Sequence, residues 1–194
     1  MEPEPIPHRF ARYRRTERFV RGRQAWAAPE GGLCLNAFVI VTPEGGDDAV
    51  LLGRPDPSAP WASLAALSSV HLDDVGDRWI LPASHLLEFE TPSDAARRIL
   101  AQQLGLARTL PVGPQVFSET YPSPIDADPV LHWDVHFVFR AEWPADRRVA
   151  APPWRALAMR RPLDTARSEV ARGHADVLAL AGFPLRETPA GEST

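Results

Sequence analysis

Short apolar runs, broken by Pro, Gly and Asp, dominate the chain. Leu33–Val41 (LCLNAFVIV) is apolar and rich in β-formers, and Pro43-Glu44-Gly45-Gly46 closes it as a turn. Ala49–Leu52 reads as a second short strand, so the pattern predicts a hairpin. Pro55–Val70 is a long Pro/Ser/Ala connection, and Arg78–Leu81 (RWIL) reads as a further short strand. Val116–Tyr121 and Leu131–Trp143 read as strands joined by the loop PSPIDADP. In the second of these, Trp133, Val135, Phe137 and Phe139 alternate onto one face. Trp154–Met159 is a candidate for one more strand.

Two segments have helical signals. Thr91–Leu106 has Thr91 as N-cap, Pro92 at the first helical position, Asp94 in a capping-box pattern and Gly105 as terminator. Asp164–Leu180 reads as a C-terminal helix capped near Asp164 or Thr165, and Pro184–Thr194 as a tail. Strands, a helix, more strands and a final helix predict an α/β sandwich on a mixed sheet. Strand order does not follow from this pattern.

Composition narrows the chemistry. The chain has 194 residues, of which 44% are hydrophobic and 24% charged, enough for one globular core without disulfides. All 21 basic residues are Arg. The missing Lys excludes a phosphate-loop lysine and any Schiff-base or pyridoxal-phosphate lysine. A net charge of −4 and a pI of about 5.9 argue against a dedicated nucleic-acid binder. Seven Arg lie in residues 9–23 against the single Glu17, and Phe10, Tyr13 and Val20 have helical spacing. Residues 1–30 are therefore read as an Arg-rich arm, more simply a solvated helix packed on the domain or a partner subunit than a phosphate- or nucleic-acid-binding arm, followed by a domain over 31–184 and a tail over 185–194. Cys34 is alone, which excludes an intrachain disulfide and a Cys-rich zinc site. The N-terminus has no apolar signal core and no run reaches membrane-spanning length, so the expectation is a cytoplasmic protein.

Residues 79–106 read WILPASHLLEFETPSDAARRILAQQLGL. This segment resembles the signature of the Nudix hydrolase family, G-x5-E-x7-R-E-U-x-E-E-x-G-U with U aliphatic. The likeness extends over about residues 33–183 and implies a Nudix-like α/β/α sandwich. Glu90 falls on the first motif glutamate, Arg98 on the arginine, and Leu100, Gly105 and Leu106 on the aliphatic and glycine framework. Ala83 and Ser84 stand where small residues, usually glycine, belong. Ile99, Gln102 and Gln103 replace the three glutamates that follow the arginine.

Those three positions are spaced i, i+3 and i+4, so a helix brings them to one face. By the resemblance, carboxylates there would hold Mg²⁺ or Mn²⁺, which would bridge a diphosphate and activate a water. One aliphatic side chain and two neutral amides bring no charge to offset cation dehydration. No metal is therefore expected, unless Mg²⁺ or Mn²⁺ is held by other ligands. The resemblance implies that Glu90, Arg98 and Gly105 are structural, with Glu90 and Arg98 forming a loop-to-helix ion pair.

Other residues qualify as site candidates. His132, Asp134 and His136 form H-x-D-x-H on the strand face opposite the aromatics. The outer two lie more than ~13 Å apart along a strand, which suits a polar pocket lining better than a metal site. Glu88 and Glu119, with Glu90, are candidate bases or displaced ligands. Arg54 and His85 are candidate ligand contacts beside Gln102, Gln103 and the strand triad. Asp126 and Asp128 read as turn formers, Trp61 and Tyr121 as stacking candidates, and Cys34 as a small buried hydrophobe.

Three functional readings follow. The first is a non-hydrolytic binder or regulator that takes a nucleotide or phosphorylated small molecule. The second is a divergent hydrolase of a nucleoside-diphosphate-type substrate using other ligands. The third is a structural subunit that uses the fold for homodimerisation. No membrane or nucleic-acid partner is expected.

Overall fold

The computed structural model describes residues 12–13, 33–46, 48–64, 72, 75–122, 131–146 and 153–187. Within them the chain forms a mixed sheet between two helices. Strand β1 is Arg12–Tyr13, β2 Leu33–Pro43, β3 Val50–Pro55, β4 Ala83–His85, β5 Val112–Pro122, β6 Leu131–Trp143 and β7 Trp154–Arg160. Helix α1 is Pro92–Leu104 and helix α2 is Arg172–Leu180. The main sheet runs β1-β2-β6-β5, with β4 also paired to β2. β2 and β6 are parallel over their full overlap, from Leu33 opposite Trp133 to Pro43 opposite Trp143. The other pairings in this sheet are antiparallel.

Alternation along β2 and β6 divides the core in two. Ala37, Val39, Val41 and Phe139 pack with Ala95, Ala96, Ile99 and Leu100 of α1. Phe38, Ile40 and Val138 pack with Ala175, Val177 and Leu178 of α2. The α/β sandwich with a mixed sheet predicted from the sequence is therefore the observed fold class.

The expected hairpin between residues 33–41 and 49–52 does not form. β2 is already bordered by β6 on one edge and by β1 and β4 on the other, so β3 pairs antiparallel with β7 in a second, two-stranded sheet. Gly53 is required there, because a Cβ would lie 2.2 Å from the Trp154 ring. Arg78–Leu81 is not a strand but two isolated bridges, Trp79 to Val170 and Ile80 to Gly53. The C-terminal helix is shorter than its pattern. Residues 162–164 and 167–169 are 3-10 turns, and Glu169 uses its carboxylate to cap the Ala166 N–H. β5 begins earlier than predicted, at Val112.

The ends of α1 follow the sequence signals. Thr91 Oγ1 accepts from the Asp94 N–H at 3.2 Å and donates to the Asp94 carboxylate at 2.7 Å. That hydroxyl above all, with Arg97, holds the Asp94 carboxyl below its ordinary value of 3.8. Gly105 adopts φ 66° and, with Leu106, turns its N–H back to the Leu100 carbonyl. At the termini, Arg12–Tyr13 pairs with Leu33–Cys34 as strand, where helical spacing had been read. Leu185, placed in the tail by composition, is buried against the α2 side of the core. Among the described residues no helix is long and apolar enough to cross a membrane.

Candidate functional site

The loop before α1 is built around one ion pair. Arg98 Nε donates to Glu90 Oε1 at 2.7 Å and Nη2 to Oε2 at 2.8 Å, a bidentate fork. The remaining Arg98 donors reach the Leu64 carbonyl and Ser84 Oγ from Nη1, both at 2.9 Å, and the His85 carbonyl from Nη2 at 3.0 Å. Glu90 Oε2 also accepts from the Leu87 N–H at 2.9 Å. Both side chains are largely buried, 13% exposed for Arg98 and 11% for Glu90. A guanidinium with five placed donors fastens α1, β4, the 3-10 turn Trp61–Leu64 and the loop at one point. Ser84 supplies a hydroxyl to that clamp, which a glycine could not.

Phe89, next to Glu90, has φ 64° and is 97% exposed. An L side chain in this region is strained by about 1 kcal/mol or more, and Phe89 gains no burial in return.

One turn beyond Arg98, the face expected for three glutamates has a different construction. Ile99 is 1% exposed and belongs to the core packed under β2. Gln103 is equally buried, and its Nε2 donates to the Ala83 carbonyl of β4 at 2.8 Å. Its Oε1 is buried without a hydrogen-bond partner among the described residues. Its own carbonyl accepts from Trp154 Nε1 at 2.9 Å. Gln102 points to solvent. The three positions therefore do not share one open face, because α1 turns 99 and 103 toward the sheet and 102 away from it.

This donor set does not fit a divalent cation. The one Oε1 oriented inward is a neutral amide, the nearby Ala83 carbonyl already accepts a hydrogen bond, and both Glu90 oxygens are held by Arg98 and Leu87. Among the described residues no three His, Cys, Asp or Glu side chains group for a metal.

A polar row crosses the opposite face of the main sheet. Register places His85 of β4, Asn36 of β2 and His136 of β6 side by side, with Cys34 and Asp134 in the next row. Asp134 is 2% exposed and His136 3%. Asn36 Nδ2 donates to Asp134 Oδ1 at 3.3 Å. The Phe38 ring stands edge-on to His136 at 5.1 Å and to His174 of α2 at 5.3 Å. His174 Nδ1 accepts from the Leu81 N–H at 3.1 Å.

Neither a protein-family model nor a curated protein matches the sequence. Solved structures do. The Escherichia coli dihydroneopterin triphosphate pyrophosphohydrolase superposes at TM-score 0.52 with 12% identity, over 76% of this chain and 96% of that one. A MutT Nudix hydrolase from Burkholderia pseudomallei matches at TM-score 0.49 with 17% identity, over 76% and 96%. A MutT/Nudix-family protein from Listeria innocua matches at 0.49 with 18% identity, over 76% and 90%. The chain has the Nudix fold.

Within that fold, the candidate residues separate into groups. Glu90, Arg98 and Gly105 build the loop and helix that carry the motif. Gln102 and Gln103 lie on α1, on one side of the main sheet. His85, Asp134 and His136 lie on the other side, and backbone register puts His132 and Glu119 on that face too, although their side chains are outside the described residues. Arg54 joins neither group: its guanidinium stacks 4.5 Å over the Trp79 ring and lies 3.6 Å from Asp77. Glu88 is exposed in the motif loop. Trp61 is 1% exposed and packs edge-on against Trp154, so it is core rather than a stacking platform. The Tyr121 side chain, Asp126 and Asp128 lie outside the described residues. Sequence reasoning missed Asn36 and His174, which join the polar row only through parallel pairing and α2 packing. It also missed Phe89, whose backbone strain has no composition signal.

Proposed function

We propose that this Nudix-fold chain is a binding or regulatory protein that takes a nucleotide or another phosphorylated small molecule without hydrolysing it. The observation that carries this reading is the fate of the α1 face: Ile99 is core, and Gln103 is tied by its amide to the Ala83 carbonyl. Metal-assisted hydrolysis needs anionic ligands that hold the cation and lower the pKa of a water, and this face offers neither charge nor open coordination. The row of half-buried Asn36 with buried Asp134 and His136 supports recognition on the other side of the sheet, because convergent polar groups suit hydrogen-bonded readout of a ligand. The E. coli relative is named for a triphosphate substrate, which supports a phosphorylated ligand by analogy of fold alone.

The test measures binding and turnover together. A nucleoside diphosphate is titrated into the full chain by calorimetry, with Mn²⁺ and separately with a chelator, while released phosphate is assayed. The expected result is the same affinity in both conditions and no release. Metal-dependent release would replace this reading with that of a divergent hydrolase. Asp134→Asn, which keeps the side-chain shape, should weaken binding about tenfold, the scale of one charge-assisted hydrogen bond, with melting temperature as the folding control.

A further inference from the structure

A second site lies outside the motif, where the segment after β7 meets the start of α2. Arg78, Arg167, Ser168, Arg172 and Glu187 line a surface cavity of about 320 Å³. Two of its arginines are held in place. Arg78 donates from Nε to the Val75 carbonyl at 3.1 Å, and Arg167 is paired with Asp176. Arg172 is exposed and makes no ion pair among the described residues.

Arg172 is placed against the stability of the free protein. Three arginines line the cavity, and among the described residues Glu187 is the one carboxylate in its lining. Arg172 is also the first residue of α2, whose first turn has no acidic residue and whose N-cap position, Ala171, has no side-chain acceptor. A cation at that end of a helix opposes the macrodipole, where an acid would stabilise it. Arg172 is neither buried nor paired with a carboxylate among the described residues. A bound anion would compensate Arg172, with Arg78 and Arg167 already held beside it.

The geometry points to a phosphoryl-binding pocket formed by Arg78, Arg167, Arg172 and Ser168. Guanidinium forks match the oxygens of a tetrahedral phosphoryl group, and the Ser168 hydroxyl can donate alongside them. The ligand is a phosphoryl group, free or at the end of a nucleotide. The pocket is on the α2 side of the fold and shares no residue with the α1 face or the Asn36–Asp134–His136 row, so it stands independently of the function proposed above.

The test uses the full chain at low ionic strength, titrated first with inorganic phosphate and then with a nucleoside triphosphate. Saturable phosphate binding is expected, weakened about tenfold in Arg172→Ala, which removes one charged donor set, and abolished in Arg172→Glu. In phosphate-free buffer Arg172→Glu should melt at the same temperature or higher, because an acid then occupies the first turn of α2. That pairing separates lost binding from lost folding. If the triphosphate binds more tightly and Arg172→Glu abolishes both, the pocket reads the nucleotide's phosphate. If the two bind alike, it reads the phosphoryl group alone. Phosphate affinity within about twofold of wild type in Arg172→Glu, or no saturable phosphate binding at all, overturns the assignment.

Discussion

Arg98 and Gln103 sit little more than one turn apart on α1, and both reach a backbone carbonyl of β4, His85 for the arginine and Ala83 for the glutamine. Arg98 carries a charge into a largely buried site, answers it with Glu90 and has all five donors placed. Gln103 is buried more deeply, carries no charge and leaves one oxygen without a partner among the described residues. The two halves of the motif therefore do separable physical work. The clamp half fixes a loop against a helix, a task that any ligand chemistry would need. Ile99 and Gln103, further along the helix, serve packing against the sheet.

The comparison can be broken most forcefully at the clamp. Arg98→Ala leaves Glu90 buried without its cationic partner and removes five hydrogen bonds, and should cost about 3–5 kcal/mol of unfolding free energy in denaturant titration. Arg98→Lys should recover only part of this, since an ammonium cannot span the same fork. A loss under 1 kcal/mol, on the scale of an exposed pair, would mean that the clamp is ornamental.

A smaller effect is expected at Gln103. Gln103→Glu replaces the donor to the Ala83 carbonyl with a carboxylate and should cost about 1–3 kcal/mol at neutral pH, measured by denaturation. The loss should shrink at acid pH, where a protonated glutamate can donate to that carbonyl again. Stabilisation by Mn²⁺ in this variant would show that the face still accepts a cation and would sink the packing account.

The smallest effect belongs to Gln102. Its side chain is exposed, so Gln102→Glu should change stability by no more than about 0.5 kcal/mol. A large loss there would mean that α1 is rotated from the orientation described, since 102 and 103 could not then differ in burial.

Much of the framework is legible from local signals. Thr91, Pro92 and Gly105 mark the ends of α1 through backbone hydrogen bonds between near neighbours, which is why those ends agree with the structure. The pairing of Glu90 with Arg98 is what the resemblance to the Nudix signature implies. The hairpin was misread because apolar strands with a turn between them do not specify a partner. Only competition for the edges of β2 sends β3 to β7. The helix expected over Asp164–Leu180 starts later because Glu169 and Trp79 draw residues 164–170 into turns and a bridge despite their helical composition.

By itself, then, the order of residues determined the α/β class, the caps and span of α1 and the neutral residues at 99, 102 and 103, while the pairing of Glu90 with Arg98 was implied by the resemblance. Tertiary structure decided which side of the sheet each candidate faces, that Ile99 is core while Gln102 is solvent-exposed, and that Asn36 and His174 join Asp134 and His136. It also brought Arg78 to one cavity with Arg167 and Arg172, which lie in a distant segment of the chain. The physical reason is range. Capping and helical spacing act over three to five residues, whereas strand pairing and the meeting of like charges depend on which distant segments the core forces together.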